Sequence, residues 1–261
     1  MDPILNPFSP GAGTRPPELA GRDELRETMR VAVERVRRGL PTKSVLMVGL
    51  RGVGKTVLLD RMRDDAESSG IQTMHVEAPE ARSLPALLSP ELRVALLRLS
   101  RNEAGTEMAF RALRGLAGFA KALKLKYNDI GVGFDFEPEP GLADNGDLEH
   151  DLPALLDTVG TAARDAGTAL ILFIDELQYV REPELAALIT ALHRMAQRGL
   201  PVALVGAGLG LCFRAESVRR LDTPAEARSL SAAAVCWRCA GRPARTRMRA
   251  GHGIGRQSGC R

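Results

Sequence analysis

The chain has 261 residues and a net charge of +4, and 44% of its residues are hydrophobic, so it is long enough to bury a core. Its longest aliphatic run, residues 169–174, is far shorter than the ~20 residues that a membrane-spanning helix requires. The first residues carry neither the basic flank nor the apolar core of a signal peptide, and we therefore expect a cytosolic protein without a membrane span.

The chain alternates predicted helices and strands. Residues 1–18 are rich in Pro and Gly and predict an extended arm. Apolar residues at helical spacing predict helices at 24–39, 56–66, 84–99, 110–125, 148–166 and 182–198. Short apolar or alternating runs predict strands at 44–48, 71–76, 130–136, 169–174 and 202–205. Strands separated by helices pair in parallel through crossovers, so the fold class is α/β.

Residues 49–56, Gly-Leu-Arg-Gly-Val-Gly-Lys-Thr, match the Walker A pattern of a phosphate-binding loop between a strand and a helix. Glycines let backbone N–H groups approach phosphate oxygens, and the amino-terminal end of the next helix attracts anions. We expect Lys55 to neutralise the β- and γ-phosphates and the Thr56 hydroxyl to bind Mg²⁺. The residues predicted to hold the nucleotide are Gly49, Leu50, Arg51, Gly52, Val53, Gly54, Lys55, Thr56 and Val57.

A second motif follows an apolar run at residues 170–174, which ends in Asp175 and Glu176 as a Walker B strand does. A carboxylate at the tip of such a strand holds Mg²⁺ directly or through water, and we assign that role to Asp175. Glu176 is placed to orient or deprotonate the attacking water, although an acid in a solvated loop would look the same in sequence. The two motifs in this order predict a binding site for ATP and Mg²⁺.

These motifs, with Asn-Pro-Phe at 6–8 and Leu-Ala-Gly-Arg-Asp-Glu-Leu at 19–25, resemble AAA+ ATPases. The origin-recognition-complex-like branch, which overlaps with STAND-type ATPases, is the most similar. The resemblance covers roughly residues 6–210 and implies a P-loop three-layer sandwich. It implies a five-stranded parallel sheet in which the two Walker strands are adjacent, followed by a small helical lid. It also implies that Gly21 and Arg22 lie beside the adenine ring, although a simple helix-start turn with a surface arginine would show the same residues.

The chain departs from that family at the end of the strand predicted at 202–205. Residues 205–208, Val-Gly-Ala-Gly, offer no polar side chain near the γ-phosphate. Gln178 and His193 are the polar candidates for that place, although each fits an ordinary loop or helix position better. The sequence places no fifth strand, no lid helix and no lid arginine.

The last segment, residues 211–261, differs in composition from the rest of the chain. It contains 11 arginines, no lysine and three acids, a net charge of +8, whereas residues 1–210 carry −4. All four cysteines of the chain also lie there, at positions 212, 236, 239 and 260. We expect this segment to be disordered and not to form the lid, and three origins stay open. The first is a shifted reading frame in a GC-rich gene. The second is a basic arm that binds nucleic acid, and the third is a zinc site built from Cys236, Cys239, His252 and Cys260.

The sequence therefore divides into an arm at 1–18, an AAA+-like ATPase domain at 19–210 with a helical insertion at about 78–168, and the basic tail. It predicts a switch that binds ATP or ADP and in which Lys55 and Glu176 are catalytic; hydrolysis is expected to be weak if no lid follows. A DNA-associated initiator or transposition-helper ATPase is one alternative, and a truncated, non-functional fragment is another. A protein partner would bind the insertion, and oligomer formation stays open.

Overall fold

The computed structural model describes residues 23–40, 42, 44–125 and 136–209, and the backbone of 233–236. The helices are α1 Asp23–Arg37, α2 Lys55–Ser68, α3 Leu84–Leu99, α4 Thr106–Ala122, α5 Leu148–Asp165 and α6 Glu182–Gln197. The strands are β1 Val45–Val48, β2 Gln72–Glu77, β3 Leu170–Asp175, β4 Val202–Gly208 and β5 Ala233–Cys236. Short 3₁₀ helices lie at Glu103–Gly105 and Leu177–Tyr179.

Several predicted features lie outside the described residues. They include the arm at 1–18, Gly21 and Arg22, almost all of the strand predicted at 130–136, and both predicted domain boundaries. Within the described part of the chain, each predicted helix is present with ends shifted by a few residues, and no helix is long and apolar enough to cross a membrane.

All five strands are parallel and are arranged in the order β2-β3-β4-β1-β5, which confirms the α/β class. The expectation that the two Walker strands are adjacent is wrong, because β4 lies between β1 and β3 and pairs with both. Strand order depends on pairing between distant segments, and each strand's own pattern carries no information about its neighbours. Sequence reasoning also missed β5, a four-residue run in the basic tail that pairs with β1.

The sheet is covered by helices on both faces, which gives the three-layer sandwich that the sequence predicted. Every residue of β3 is buried. Alternate residues face opposite ways, so Ile171 and Phe173 pack with α1 and α2, whereas Leu172 and Ile174 pack with α3 to α6. Burial on both faces is why this strand is a continuous apolar run. The helices of the predicted insertion, α3, α4 and α5, therefore form part of the layer that covers the sheet.

Strand β4 is made of small residues at its carboxyl end, and this allows neighbouring groups to approach it closely. A Cβ added to Gly206 would lie 2.3 Å from Leu177 Cδ1 and 2.9 Å from Leu46 Cδ2. Leu177 belongs to the 3₁₀ helix after β3 and is 2% exposed. The missing side chain at Gly206 thus lets the turn after β3 pack over the middle of the sheet.

We predict that Gly206→Ala lowers the free energy of unfolding by about 1–3 kcal/mol, because the new methyl group would displace two leucines from a filled core. Gly208→Ala is the comparison in the same strand, and we expect it to cost less, since its Cβ would come no closer than 3.2 Å to Gln178 Oε1. Urea unfolding of both variants measures the difference. Equal losses of stability would show that the turn after β3 does not depend on the space above Gly206.

Candidate functional site

The loop between β1 and α2 has an open inner surface. Gly52 and Gly54 adopt φ angles of +78° and +83°, a left-handed conformation that other residues rarely adopt. A Cβ added at either position would meet no atom within 4 Å. Leu50, in the same loop, is 69% exposed. The loop therefore leaves room for a ligand next to its backbone, as a phosphate cradle requires.

Lys55 begins α2 and turns its side chain back over this loop. Its Nζ donates hydrogen bonds to the carbonyl oxygens of Leu50 at 2.8 Å and Gly49 at 3.3 Å, and the residue is only 8% exposed. A buried ammonium group needs such partners, since burial without them is costly. The loop thus holds one positive charge beside the open cradle.

Thr56 and Asp175 meet although they are 119 residues apart in the chain. The Thr56 hydroxyl donates a hydrogen bond of 2.5 Å to Asp175 Oδ2, and Asp175 Oδ1 accepts a 2.7 Å bond from the backbone N–H of Glu176. Asp175 is 3% exposed, whereas Thr56 is exposed. A hydroxyl and a carboxylate oxygen at this distance form a donor set that suits Mg²⁺, which prefers oxygen ligands.

Glu176 follows directly and adopts a left-handed backbone conformation, with φ 52° and ψ 41°. This conformation is uncommon for a residue other than glycine and turns the chain sharply after β3. Its carboxylate accepts a hydrogen bond from the side-chain amide of Gln178, whose own oxygen accepts a 3.0 Å bond from the N–H of Leu209 at the end of β4. The side chains of Glu176 and Gln178 are both partly exposed.

The structure thus brings together Lys55, Thr56, Asp175 and Glu176, which the sequence had predicted as one site. The side chain of Val57 is buried. Of the two polar candidates for the end of β4, Gln178 lies there, whereas His193 bonds Gln197 on α6.

A second cluster next to the site was not found by sequence reasoning. Glu184, in the first turn of α6, is 4% exposed and accepts hydrogen bonds from Arg181 and from the backbone N–H of Leu84 at 3.2 Å. The hydrogen bond to Glu184 raises the pKa of Arg181. An acid in a first helical turn is too common to single out, because it favours the helix dipole without any tertiary partner.

The zinc site that the sequence leaves open is not tested by the structure. Cys236 is the last residue of β5, and Cys239, His252 and Cys260 lie outside the described residues. In the described ranges, no group of three or more His, Cys, Asp or Glu residues is placed to hold a metal ion.

Comparison with known proteins gives one family match. The model of the AAA ATPase domain family matches residues 18–205, and no protein of curated function is similar enough to match.

Three solved structures are similar to the chain at low identity. Cdc6p from Pyrobaculum aerophilum is 15% identical, with a TM-score of 0.46, over 86% of this chain and 47% of that one. The ORC1 protein of Aeropyrum pernix in complex with DNA is 16% identical, with a TM-score of 0.43, over 85% and 46% of the two chains. The ORC2 protein of Aeropyrum pernix, with ADPNP and ADP, is 16% identical, with a TM-score of 0.42, over 84% and 49%. The chain spans about half the length of each of these proteins.

We predict that Thr56→Ala lowers the free energy of unfolding of the ligand-free chain by about 1–3 kcal/mol, because it removes a donor from a buried carboxylate. Thr56→Ser keeps the hydroxyl and serves as the control, with a smaller loss. Urea unfolding without nucleotide or metal measures both values. If Thr56→Ala is as stable as Thr56→Ser, water replaces the hydroxyl as a donor to Asp175 without a loss of stability.

Proposed function

The chain belongs to the AAA ATPase domain family, and on that basis we propose that it binds ATP with Mg²⁺ where β1 and β3 end, hydrolyses the ATP, and uses the nucleotide state as a switch. The observation that carries this proposal is the 2.5 Å hydrogen bond between Thr56 and Asp175. It joins the two sequence motifs at one point, beside a glycine loop with room for phosphate groups.

The groups around the loop divide the work of binding. The glycine loop would present backbone N–H groups and the positive end of α2 to the phosphates. Lys55 would exchange the carbonyl oxygens of Gly49 and Leu50 for phosphate oxygens, which carry a full negative charge and are stronger partners. Thr56 and Asp175 would hold Mg²⁺, and the bound ion would neutralise phosphate charge as a Lewis acid.

Glu176 is the group proposed to act on the attacking water. Its carboxylate follows the metal-binding Asp175 directly, and one of its oxygens, Oε2, accepts a hydrogen bond from Gln178. The other oxygen, Oε1, is available to accept a proton from a water molecule and so raise its nucleophilicity. Product release would return Lys55 and Thr56 to the partners that they have in this structure.

The switch is supported by the contacts that binding must replace. Lys55 and Thr56 both use their polar atoms within the chain, so a ligand that takes these atoms changes the surroundings of Asp175. The turn that follows Asp175 continues to Arg181, which donates a hydrogen bond to Glu184. Glu184 in turn accepts a hydrogen bond from the N–H of Leu84 at the start of α3. If these contacts differ between the ATP and ADP states, the positions of α3 and α6 would differ as well, and a partner that binds these helices would favour one state.

We predict that Lys55→Ala weakens binding of Mg-ATP by roughly 10- to 100-fold, which corresponds to the loss of one charge-assisted hydrogen bond. Lys121→Ala is the control, because Lys121 is an exposed lysine near the end of α4. Isothermal titration with Mg-ATP and Mg-ADP measures both affinities. Equal affinity in the wild-type chain and Lys55→Ala would exclude the glycine loop as the nucleotide site.

We predict that Glu176→Gln slows release of inorganic phosphate by roughly 10²- to 10⁴-fold, because a neutral amide cannot accept the proton from water. The affinity for Mg-ATP should stay close to that of the wild type, since Glu176 is not assigned to bind phosphate or metal. Single-turnover hydrolysis and titration on the same preparations separate the two effects. Hydrolysis at the wild-type rate would assign the base to another group.

A further inference from the structure

The side chain of Gln178 joins two groups that belong to different strands of the sheet. Its Nε2 donates to Glu176 Oε2, at the end of β3, and its Oε1 accepts a 3.0 Å hydrogen bond from the N–H of Leu209, after β4. The partners fix which way the amide points, since a carboxylate only accepts and a backbone N–H only donates. Both ends of one planar group are thus used.

The two contacts need one donor and one acceptor, and the Gln178 amide supplies both. Glutamate would keep an acceptor for Leu209 but would put a second carboxylate against Glu176. Methionine has nearly the same length and neither a strong donor nor a strong acceptor. Glutamine therefore suits the two contacts better than either of these residues. Methionine keeps the shape of the side chain without its hydrogen bonds, so the two properties can be tested separately.

The surroundings of Gln178 hold it in place. A Cβ added to Gly208 would lie 3.2 Å from Gln178 Oε1 and 3.4 Å from Leu177 Cβ, so the glycine gives the amide its space. Leu177, the residue before Gln178, is 2% exposed and anchors the turn over Gly206. The end of β4 has no polar side chain of its own, and Gln178 supplies one from the neighbouring turn.

We propose that Gln178 is a positioning residue for hydrolysis, which holds the Glu176 carboxylate by one oxygen and ties it to the end of β4. The inference rests on the proposed function, because it gives Gln178 a role through Glu176. Both polar atoms of its amide are engaged by Glu176 and Leu209 and not by the γ-phosphate for which the sequence made it a candidate, so its loss affects the orientation of the base and leaves the affinity for nucleotide largely unchanged. The link also works in reverse, because a change at Glu176 alters the hydrogen bond at Leu209.

Steady-state kinetics and titration of Mg-ATP test the positioning role in Gln178→Met and Gln178→Glu. Both variants should lower kcat by roughly 10-fold or more, the loss expected for one charge-assisted hydrogen bond, and the neutral Gln178→Met should leave the Kd for Mg-ATP nearly unchanged. Gln197→Met is the control, because Gln197 is an exposed glutamine on α6 that contacts His193. An unchanged kcat in both variants, or a Kd that rises in Gln178→Met as much as kcat falls, would overturn the positioning role.

Amide hydrogen exchange of Leu209 in the nucleotide-free chain tests the link without any turnover. Gln178→Met should speed exchange about fivefold, the effect of losing one neutral hydrogen bond. Glu176→Ala should also speed it, since Gln178 loses its anchor, and adding Glu176→Ala to Gln178→Met should have no further effect. Exchange at Leu209 that does not respond to Glu176→Ala would overturn the link.

The two sets of measurements distinguish failure of the inference from failure of the proposed function. Phosphate release that survives in Glu176→Gln would overturn the catalytic role of Glu176, and with it the positioning role of Gln178. Release that depends on Glu176 but not on Gln178 would overturn only the inference. Thermal unfolding of each variant, compared with Gln197→Met, separates a loss of fold from both results.

Discussion

The hydrogen bond between Thr56 and Asp175 joins the helix after β1 to the end of β3, and it has to reach across a strand. Neighbouring strands lie about 4.8 Å apart, so β1 and β3 are separated by about 10 Å. Strand β4 lies between them and ends in Gly206-Ala207-Gly208, where a Cβ added to Gly206 or Gly208 would lie 2.3 Å or 3.4 Å from the side chain of Leu177 in the turn after β3.

The same small residues explain why the polar groups of the site come from neighbouring turns. Leu177 packs into the space above Gly206, and this fixes the turn that carries Glu176 and Gln178. Gln178 then reaches the backbone at the end of β4. The end of β4 offers only backbone groups as hydrogen-bond partners. The polar side chains, Glu176 and Gln178, come from the turn after β3.

The turn after β3 is also the point where the site meets the helical layer. Arg181 and the N–H of Leu84 both bond the buried carboxylate of Glu184, which connects the starts of α6 and α3. A buried carboxylate is stable only while it keeps such partners. The proposed switch would act through this connection if its contacts differ between the two nucleotide states, because coupling requires an element that has two arrangements.

The sequence determined those parts of the protein that depend on short-range pattern. The spacing of residues 49–56 predicted the loop, since glycines favour that backbone, and the apolar run before Asp175 predicted a buried strand that ends in an acid. Helices and strands followed from their periodicity, and the parallel sheet followed from their alternation.

The tertiary structure decided what depends on pairing between distant segments. It placed β4 between the Walker strands, contrary to the expectation that they are neighbours, and it added β5 to the sheet. It also gave Gln178 its two partners and Glu184 its place between two helices. These contacts join residues whose local patterns are ordinary, and only packing in three dimensions brings their polar atoms within reach of one another.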